Sequence, residues 1–361
     1  MSAVPKTTKQ LHSQAPAAAK GPIFIGGPDR CGKTTMRAFL ASHPNIAIPA
    51  VGSNMWTYFY GQYGDLADDQ NFERCLDDML HYKHVAYLQP DPERIRRDFR
   101  QGQPSYARLF ALFLIHFAER EGKPRWGAQT GLIERYADQI MAAYPGGQIV
   151  HLLRDPRDRY EASIALWPNG RLRAGGAVAR WTYSANLARR NQARYPGRYL
   201  TVRYEDMVTQ PEKVLRELCD FLDETYTPDM LAMAGAPEFR AKISQGQELA
   251  PDQAPVSQAY IGRYRQGVPR EDIAFIQAHA GRLMRAFDYQ LDDLDYTPAQ
   301  RLHFNLLTRP KGLLSMWIWL GLEKIQHYFP ARLGRTPRSR MLLPRRTGKG
   351  QAKRVAGTST D

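Results

Sequence analysis

Cysteine is scarce in this chain, and the three present, Cys31, Cys75 and Cys219, stand too far apart to form a paired spacing. That excludes a disulfide framework or a cysteine-built zinc site as the organising device, and it fits a reducing compartment. Long apolar runs are lacking too. The longest, 312–322 (GLLSMWIWLGL), falls short of the ~20 residues that a membrane-spanning helix needs. Residues 1–20 are rich in Ala, Pro and Lys and hold no apolar stretch of the kind a secretory signal uses, so they read as a disordered leader. A cytoplasmic protein is the expectation. Acidic residues are missing above all from 331–361, which carries nine Lys/Arg against the single acid Asp361. Much of the net charge of +14 therefore sits there, in what reads as a basic flexible tail. No recognition motif accompanies that charge, and no nucleic-acid partner is expected.

What is present is a soluble globular composition, 43% hydrophobic and 24% charged over 361 residues, enough for one large domain with an appendage. The segment 22–26 (PIFIG) is a short apolar run ending in glycine, the pattern of a buried parallel strand. Beyond it Met36, Phe39 and Leu40 fall at helical spacing, and His43-Pro44 ends the helix. Ser105 is placed to cap a largely apolar helix through about Glu119. The runs 148–153 (QIVHLL) and 199–206 (YLTVRYED) read as further strands. Thr209 to Glu212 reads as a capping box opening a helix with Val214, Leu215, Leu218, Phe221 and Leu222 on one face. Residues 271–287 repeat that pattern. Strands alternating with helices predict an α/β fold, three layers around a mostly parallel central sheet. The expected division is a main domain over 21–300, an amphipathic helical segment over 301–330 and the tail. The Pro-, Gly- and Gln-rich stretch 234–258 reads as a long surface loop or lid.

Between the first strand and helix lies Gly27-x-x-x-x-Gly32-Lys33-Thr34, a phosphate-loop pattern in the strand–loop–helix context it requires. Backbone N–H groups of such a loop wrap an anion, and the helix that follows presents its positive end. Arg30 and Lys33 add cations, and Thr34 and Thr35 add hydroxyls. Downstream, 151–163 (HLLRDPRDRYEAS) leaves a strand on Arg154 and reaches Ser163 on a helix. An arginine at a strand's carboxyl end borders the nucleotide crevice of an open α/β sheet, where it can clamp a phosphate with two prongs. ATP offers no obvious second phosphate for such a clamp. A nucleotide with a 3′-phosphate does.

With these residues the chain resembles the sulfotransferases that use PAPS (3′-phosphoadenosine 5′-phosphosulfate), its loop looking most like those of tyrosylprotein and bacterial members. RCGKTTMRAFLASHP (30–44) is similar to the family's 5′-phosphosulfate loop, LLRDPRDRYEAS to its 3′-phosphate element, and WGAQT (126–130) to its W-G-D-K-T. VRYEDMVTQPEKVLRELCDFL (202–222) and SQAYIGRYRQG (257–267) resemble its Tyr-Glu-Asp segment and its closing loop. The resemblance implies that Arg30, Cys31, Gly32, Lys33, Thr34 and Thr35 hold the 5′-phosphosulfate. It gives Arg154 and Ser163 the 3′-phosphate and Arg263 the closing loop. It leaves Tyr204, Glu205 and Asp206 as structural residues. The implied reaction moves a sulfuryl group onto the hydroxyl of a small-molecule, glycan or lipid acceptor. Arg30 and Lys33 would neutralise charge, and no bound Mg²⁺ would be required.

The departures are specific. Lys33 stands where the family has threonine, and Gln129 where it has lysine. The Arg154–Ser163 spacing is one residue longer than usual, so Ala162 falls in the usual serine slot. The glutamate that many relatives use as base is missing, its neighbourhood being Ala50, Val51 and Gly52. Asp65, His81 and His84 are the remaining candidates for the base. Trp56, Tyr58, Phe59, Tyr60 and Tyr63 fit either an acceptor pocket or core packing. The run 313–329 fits either an interfacial helix, making a peripheral membrane contact together with the tail, or a helix docked on the body. Two other functions also fit the motifs. One is an ATP-dependent kinase using Asp155 to hold magnesium; the other is a decayed nucleotide-binding peripheral protein.

Overall fold

A computed structural model describes residues 20–164, 174–244, 253–330, 335–337 and 339–343. The expected leader up to residue 19, most of the expected tail and the middle of the 234–258 stretch (245–252) lie outside the described residues.

Five strands form one parallel sheet in the order β2-β3-β1-β4-β5. They are β1 (Ile23–Gly26), β2 (Ile46–Ala47), β3 (Arg125–Gln129), β4 (Gln148–Leu153) and β5 (Tyr199–Arg203). Alternation within each strand gives the sheet two buried faces. Phe24, Ala128, Ile149 and Tyr199 enter one core, while Ile23, Ile25, Val150, Leu152 and Val202 enter the other. Helices cover both faces, so the central strands β1 and β4 read as nearly continuous apolar runs, as a doubly covered parallel sheet demands. The apolar helix Tyr106–Arg120 lies in the first core, and Ser105 caps it by accepting from the Arg108 N–H at 3.1 Å. The helix Pro211–Leu222 puts Val214, Leu215, Leu218 and Leu222 into the second. A third core joins the helices Ala174–Arg194 and Arg270–Ala286.

Three local expectations are corrected. The strand expected through residue 206 ends at Arg203, and Tyr204–Thr209 is a helix. The chain turns there because the Glu205 carboxylate is drawn inward to accept the Asp155 N–H at 2.9 Å and the Tyr289 hydroxyl at 3.1 Å. The capping box at 209–212 does not form, since the Thr209 hydroxyl donates back to the Glu205 carbonyl at 2.8 Å. Within the 234–258 stretch, Pro237–Ile243 is a helix rather than loop.

The strand order reverses around β1 and β4, which leave the sheet's carboxyl edge side by side. In open parallel sheets the ligand crevice lies outside that edge, at the reversal.

Candidate active site

Gly27 follows β1 with φ 110°, and a Cβ there would lie 2.1 Å from the Leu152 carbonyl, so only glycine lets the loop leave the sheet beside β4. Gly32 caps helix α1 (Lys33–Ala41) with φ 89°, and a Cβ there would strike the Tyr204 ring at 2.6 Å. Arg30, between them, holds a left-handed φ of 66°, a conformation disfavoured for a residue with a side chain. The loop therefore keeps its form through its surroundings.

Those surroundings are hydrogen-bonded from below. Glu134, fully buried, accepts the Gly27 N–H at 3.1 Å on one oxygen and the Ser184 hydroxyl on the other. Ser184 bonds His151 at 2.9 Å, and His151 bonds the Tyr199 hydroxyl at 2.5 Å. Burial pushes the Glu134 carboxyl up, but the nearby His151, the Ser184 hydroxyl and the Lys33 ammonium outweigh it and hold the pKa below the usual range. Burial pushes the His151 imidazole down. The Asp29 side chain is tied to Arg159 and Arg180, each at 2.6 Å. Burial raises its pKa, yet the two guanidiniums and Lys33 hold it far below the ordinary carboxylate range.

The loop opens on a cleft of about 790 Å³. Arg30, Gly32, Lys33, Thr34 and Thr35 line one wall, and Gln129, Arg154, Tyr204 and Arg263 contribute others. The first backbone N–H groups of α1 have no helical carbonyl to bond and the helix dipole adds positive potential, so this wall suits an anion. Lys33 is folded back, its ammonium donating to the carbonyls of Gly27 at 2.8 Å and of Pro28. It braces the loop as well as lining the cleft.

Arg154 follows β4, the strand beside β1, and lines the same cleft. It is 5% exposed and makes no ion pair among the described residues. Its guanidinium lies over the Tyr204 ring at 4.5 Å and donates to the carbonyls of Arg30 (3.2 Å) and Tyr260 (2.7 Å), while its Nε is buried without a partner. Its acidic neighbours are engaged elsewhere. Both oxygens of Asp155 accept from Arg157, and Asp158 accepts the N–H groups of Gly262 (2.7 Å) and Tyr264 (3.0 Å). Arg154 therefore pairs with neither acid, and Asp158 instead anchors the closing segment. Arg263 is exposed and pairs with Glu161 at 3.2 Å.

Other predicted residues stand apart from the cleft. The Cys31 side chain is fully buried and donates to the Pro28 carbonyl at 2.7 Å, so only its backbone is left to serve a ligand. The Ser163 hydroxyl bonds the Arg159 carbonyl at 2.8 Å, and Ala162 lines the cleft instead, as the extra residue in the spacing requires. Asp65 is an exposed turn residue accepting the Ala67 N–H. His81 bonds the Asp77 carbonyl on its own helix. His84 contacts the Tyr82 hydroxyl and the Gly52 carbonyl, outside the cleft lining. None of the three meets the loop. Trp56 and Phe59 are core residues, with Tyr58, Tyr60 and Tyr63 packed against them. Sequence reasoning missed Asp29, Glu134, Arg159 and Arg180, which hold the loop from below, and took Tyr204 as purely structural. Only the Asp29 position, inside the motif itself, gave a signal.

A positively walled crevice at the reversal of a parallel sheet, bordered by a phosphate-loop motif, is an arrangement in an α/β protein that suits an anionic ligand. The profile of the sulfotransferase family matches residues 22–228, more than half of the chain, and the protein belongs to that family. It is 21% identical over 217 residues to a candidate protein-tyrosine sulfotransferase of Caenorhabditis briggsae, covering 58% of this chain and 68% of that one. Among solved structures it is similar to the sulfotransferase domain of the Synechococcus PCC 7002 olefin synthase, with TM-score 0.50, 22% identity and coverage of 76% of this chain and 98% of that one. It is also similar to the sulfotransferase domain from the curacin biosynthetic pathway, with TM-score 0.49, 16% identity and coverage of 76% and 99%. At such identities structural likeness speaks to the fold alone.

Proposed function

We propose that this transferase moves a sulfuryl group from PAPS to a hydroxyl acceptor. The observation that carries the reading is Arg154. A buried arginine without an acidic partner, with one donor unbonded, is costly unless an anion completes it. It lines the same cleft as the loop and the start of α1, and its guanidinium bonds the loop's own backbone at Arg30. Two sets of anion-binding groups in one cleft, the loop with the start of α1 and the Arg154 guanidinium, suit a nucleotide that is phosphorylated at both its 3′ and 5′ positions. Arg30, Lys33, Thr34, Thr35 and the backbone at Cys31 and Gly32 would hold the 5′ end, and Arg154 with Arg263 the 3′ end. PAPS, when bound, supplies the sulfuryl group. The chain's part is to orient it and to neutralise charge with Arg30 and Lys33.

Asp155 argues against the kinase alternative. Both its oxygens already accept from Arg157, so they are not free to hold magnesium.

Calorimetric titration with adenosine 3′,5′-bisphosphate without metal, set against ATP with Mg²⁺, tests the proposal. The bisphosphate is expected to bind tightly, and Arg154→Ala to weaken it about 100-fold, as loss of a buried charged hydrogen-bonding partner does. Binding of Mg·ATP alone, or a bisphosphate affinity indifferent to Arg154→Ala, would overturn it.

A further inference from the structure

The three contiguous segments Pro298–His303, Phe304–Thr308 and Arg309–Tyr328 make one long helical rod, about 45 Å at the usual rise. Its inner side is fixed to the body. Gly312 meets Gly175 backbone to backbone, and Trp319 packs edge-on against Tyr183 at 5.7 Å. Glu323, 3% exposed, is held between Arg135 and Arg335. A helix anchored this firmly would ordinarily turn polar residues outward. This one does not. Leu314, Trp317, Ile318, Leu322, Ile325 and Phe329 follow one another at helical spacing on the outer side, each at least 42% exposed.

The charge on the rod has one sign. Between residues 298 and 329 the charged residues are Arg301, Arg309, Lys311, Glu323 and Lys324. The one acid is the buried anchor, whereas the four basic residues are exposed. The sequence beyond adds nine further Lys/Arg and a single acid. An apolar stripe flanked only by cations is mismatched to a second copy of itself, because pairing two such faces would bring both basic arrays together. It matches a surface that is apolar beneath and anionic above. No helix among the described residues is long and apolar enough to cross a membrane.

We propose that the outer face of this rod docks on an anionic lipid surface, its apolar stripe entering the interface and its basic flanks meeting the headgroups. The docked face is coupled to the cleft. Trp319 on the inner side lies 5.9 Å from the Arg180 guanidinium, and Arg180 holds Asp29 in the cleft wall. The surface therefore carries the transferase site with it, independently of which nucleotide that site takes.

Flotation of the full chain with phosphatidylcholine vesicles, with and without phosphatidylserine and at low and high salt, tests the proposal. Phosphatidylserine should raise partitioning at least about tenfold, since each basic residue near such a surface contributes roughly fivefold, and high salt should reverse the gain. Trp317→Ser with Ile318→Ser should lower partitioning by about tenfold or more, with circular dichroism unchanged because both side chains are exposed. Lys311→Glu with Lys324→Glu should lower the gain from phosphatidylserine by about tenfold or more, the other basic residues keeping the rest. Trp317→Phe should abolish most of the blue shift in tryptophan emission on adding vesicles. Failure to float with phosphatidylserine vesicles would overturn the proposal. So would flotation indifferent to the Trp317/Ile318 pair, which would mean charge alone, or sedimentation as a dimer that the same pair dissociates.

Discussion

The two flanks of the cleft are built on opposite principles. On the β1–β4 flank, ionisable side chains are dense and held: Glu134 under the loop, Asp29 between two arginines, Arg157 on Asp155, Arg154 on a tyrosine ring. On the β2–β3 flank the segment after β2 is Ala50, Val51 and Gly52, and Gln129 alone from the β2 and β3 strands reaches the cleft lining. The first flank is organised before any ligand arrives, so binding there loses little to reorganisation. The second is nearly neutral. A carboxylate base is absent from the place where relatives with the glutamate would carry one. The lesson is that ionisable side chains on the two flanks are separable parts of this fold, dense and interlocked beside β1 and β4 and sparse beside β2 and β3.

The sharpest way to break the comparison is to remove a brace rather than a ligand-facing group. Arg157→Ala strips the partner from Asp155, a buried carboxylate, and also the bonds to Gln277 and the Gln290 carbonyl. Orphaning a buried charge costs about 3–5 kcal/mol, so denaturant unfolding should show a loss of that order. Arg154→Ala, by contrast, should leave unfolding within about 1 kcal/mol of the parent while removing nucleotide affinity. If both substitutions destabilise equally, Arg154 is a brace like its neighbour and the division of labour fails.

Glu205 gives a pH signature to the same framework. Burial raises its pKa to about 7, against the bonds from Asp155 and its own backbone that lower it. The folded state thus binds the proton more strongly than the unfolded chain does. Its contribution to stability is full below the ordinary carboxylate pKa and is lost as pH rises through about 7. Glu205→Gln removes that loss. The stability of the variant relative to the parent should climb by at most about 3 kcal/mol between weakly acid and weakly alkaline pH. A difference that stays flat with pH would show that Glu205 is ionised in the fold throughout.

Lys33 makes a smaller and more local contrast. Its ammonium is shared between loop carbonyls and the cleft, so Lys33→Met should cost about tenfold in bisphosphate affinity, less than the loss from Arg154→Ala. Lys33→Thr, which restores the family's residue, should recover part of it. Equal losses in the two variants would assign Lys33 wholly to bracing.

Much of the first flank was legible in the sequence. Strands β1, β4 and most of β5 declared themselves as apolar runs, and the loop as glycines between strand and helix. Arg154 was found by its place at a strand end, a positional argument that needs no tertiary contact. Glu134, Arg159 and Arg180 were not found, because their role depends on which loop lies beside them across long sequence separations, over 100 residues for Glu134 to Gly27. The two-residue strand β2 is too short to carry any period. Tyr204 was read as strand because its neighbours alternate, whereas the inward pull on Glu205 starts a helix there. The end of the 313–329 run was ambiguous for another reason. Docked and exposed helices share a period, and the buried Trp319 and Glu323 are what distinguish the inner side from the outer.

On the neutral flank the expected effects are smallest, and they decide where the proton goes. Asp65, His81 and His84 are the candidates for the base that the sequence offered in place of the missing glutamate. Asp65 spends its carboxylate on a turn, accepting the Ala67 N–H at 3.0 Å, and stands exposed to solvent. His84 has its Nδ1 occupied by the Gly52 carbonyl at 2.7 Å, with the Tyr82 hydroxyl at 2.9 Å. That ring nitrogen must donate to the carbonyl, which leaves Nε2 as the ring's acceptor on a residue outside the cleft lining. A general base at a reacting hydroxyl is worth about 100-fold or more in rate. Asp65→Asn and His84→Gln should therefore each change sulfuryl transfer to a hydroxyl acceptor by less than about threefold, well below that threshold. If either slows turnover by about 100-fold with nucleotide affinity intact, that residue reaches the cleft when acceptor binds, and the neutral flank is neutral only at rest.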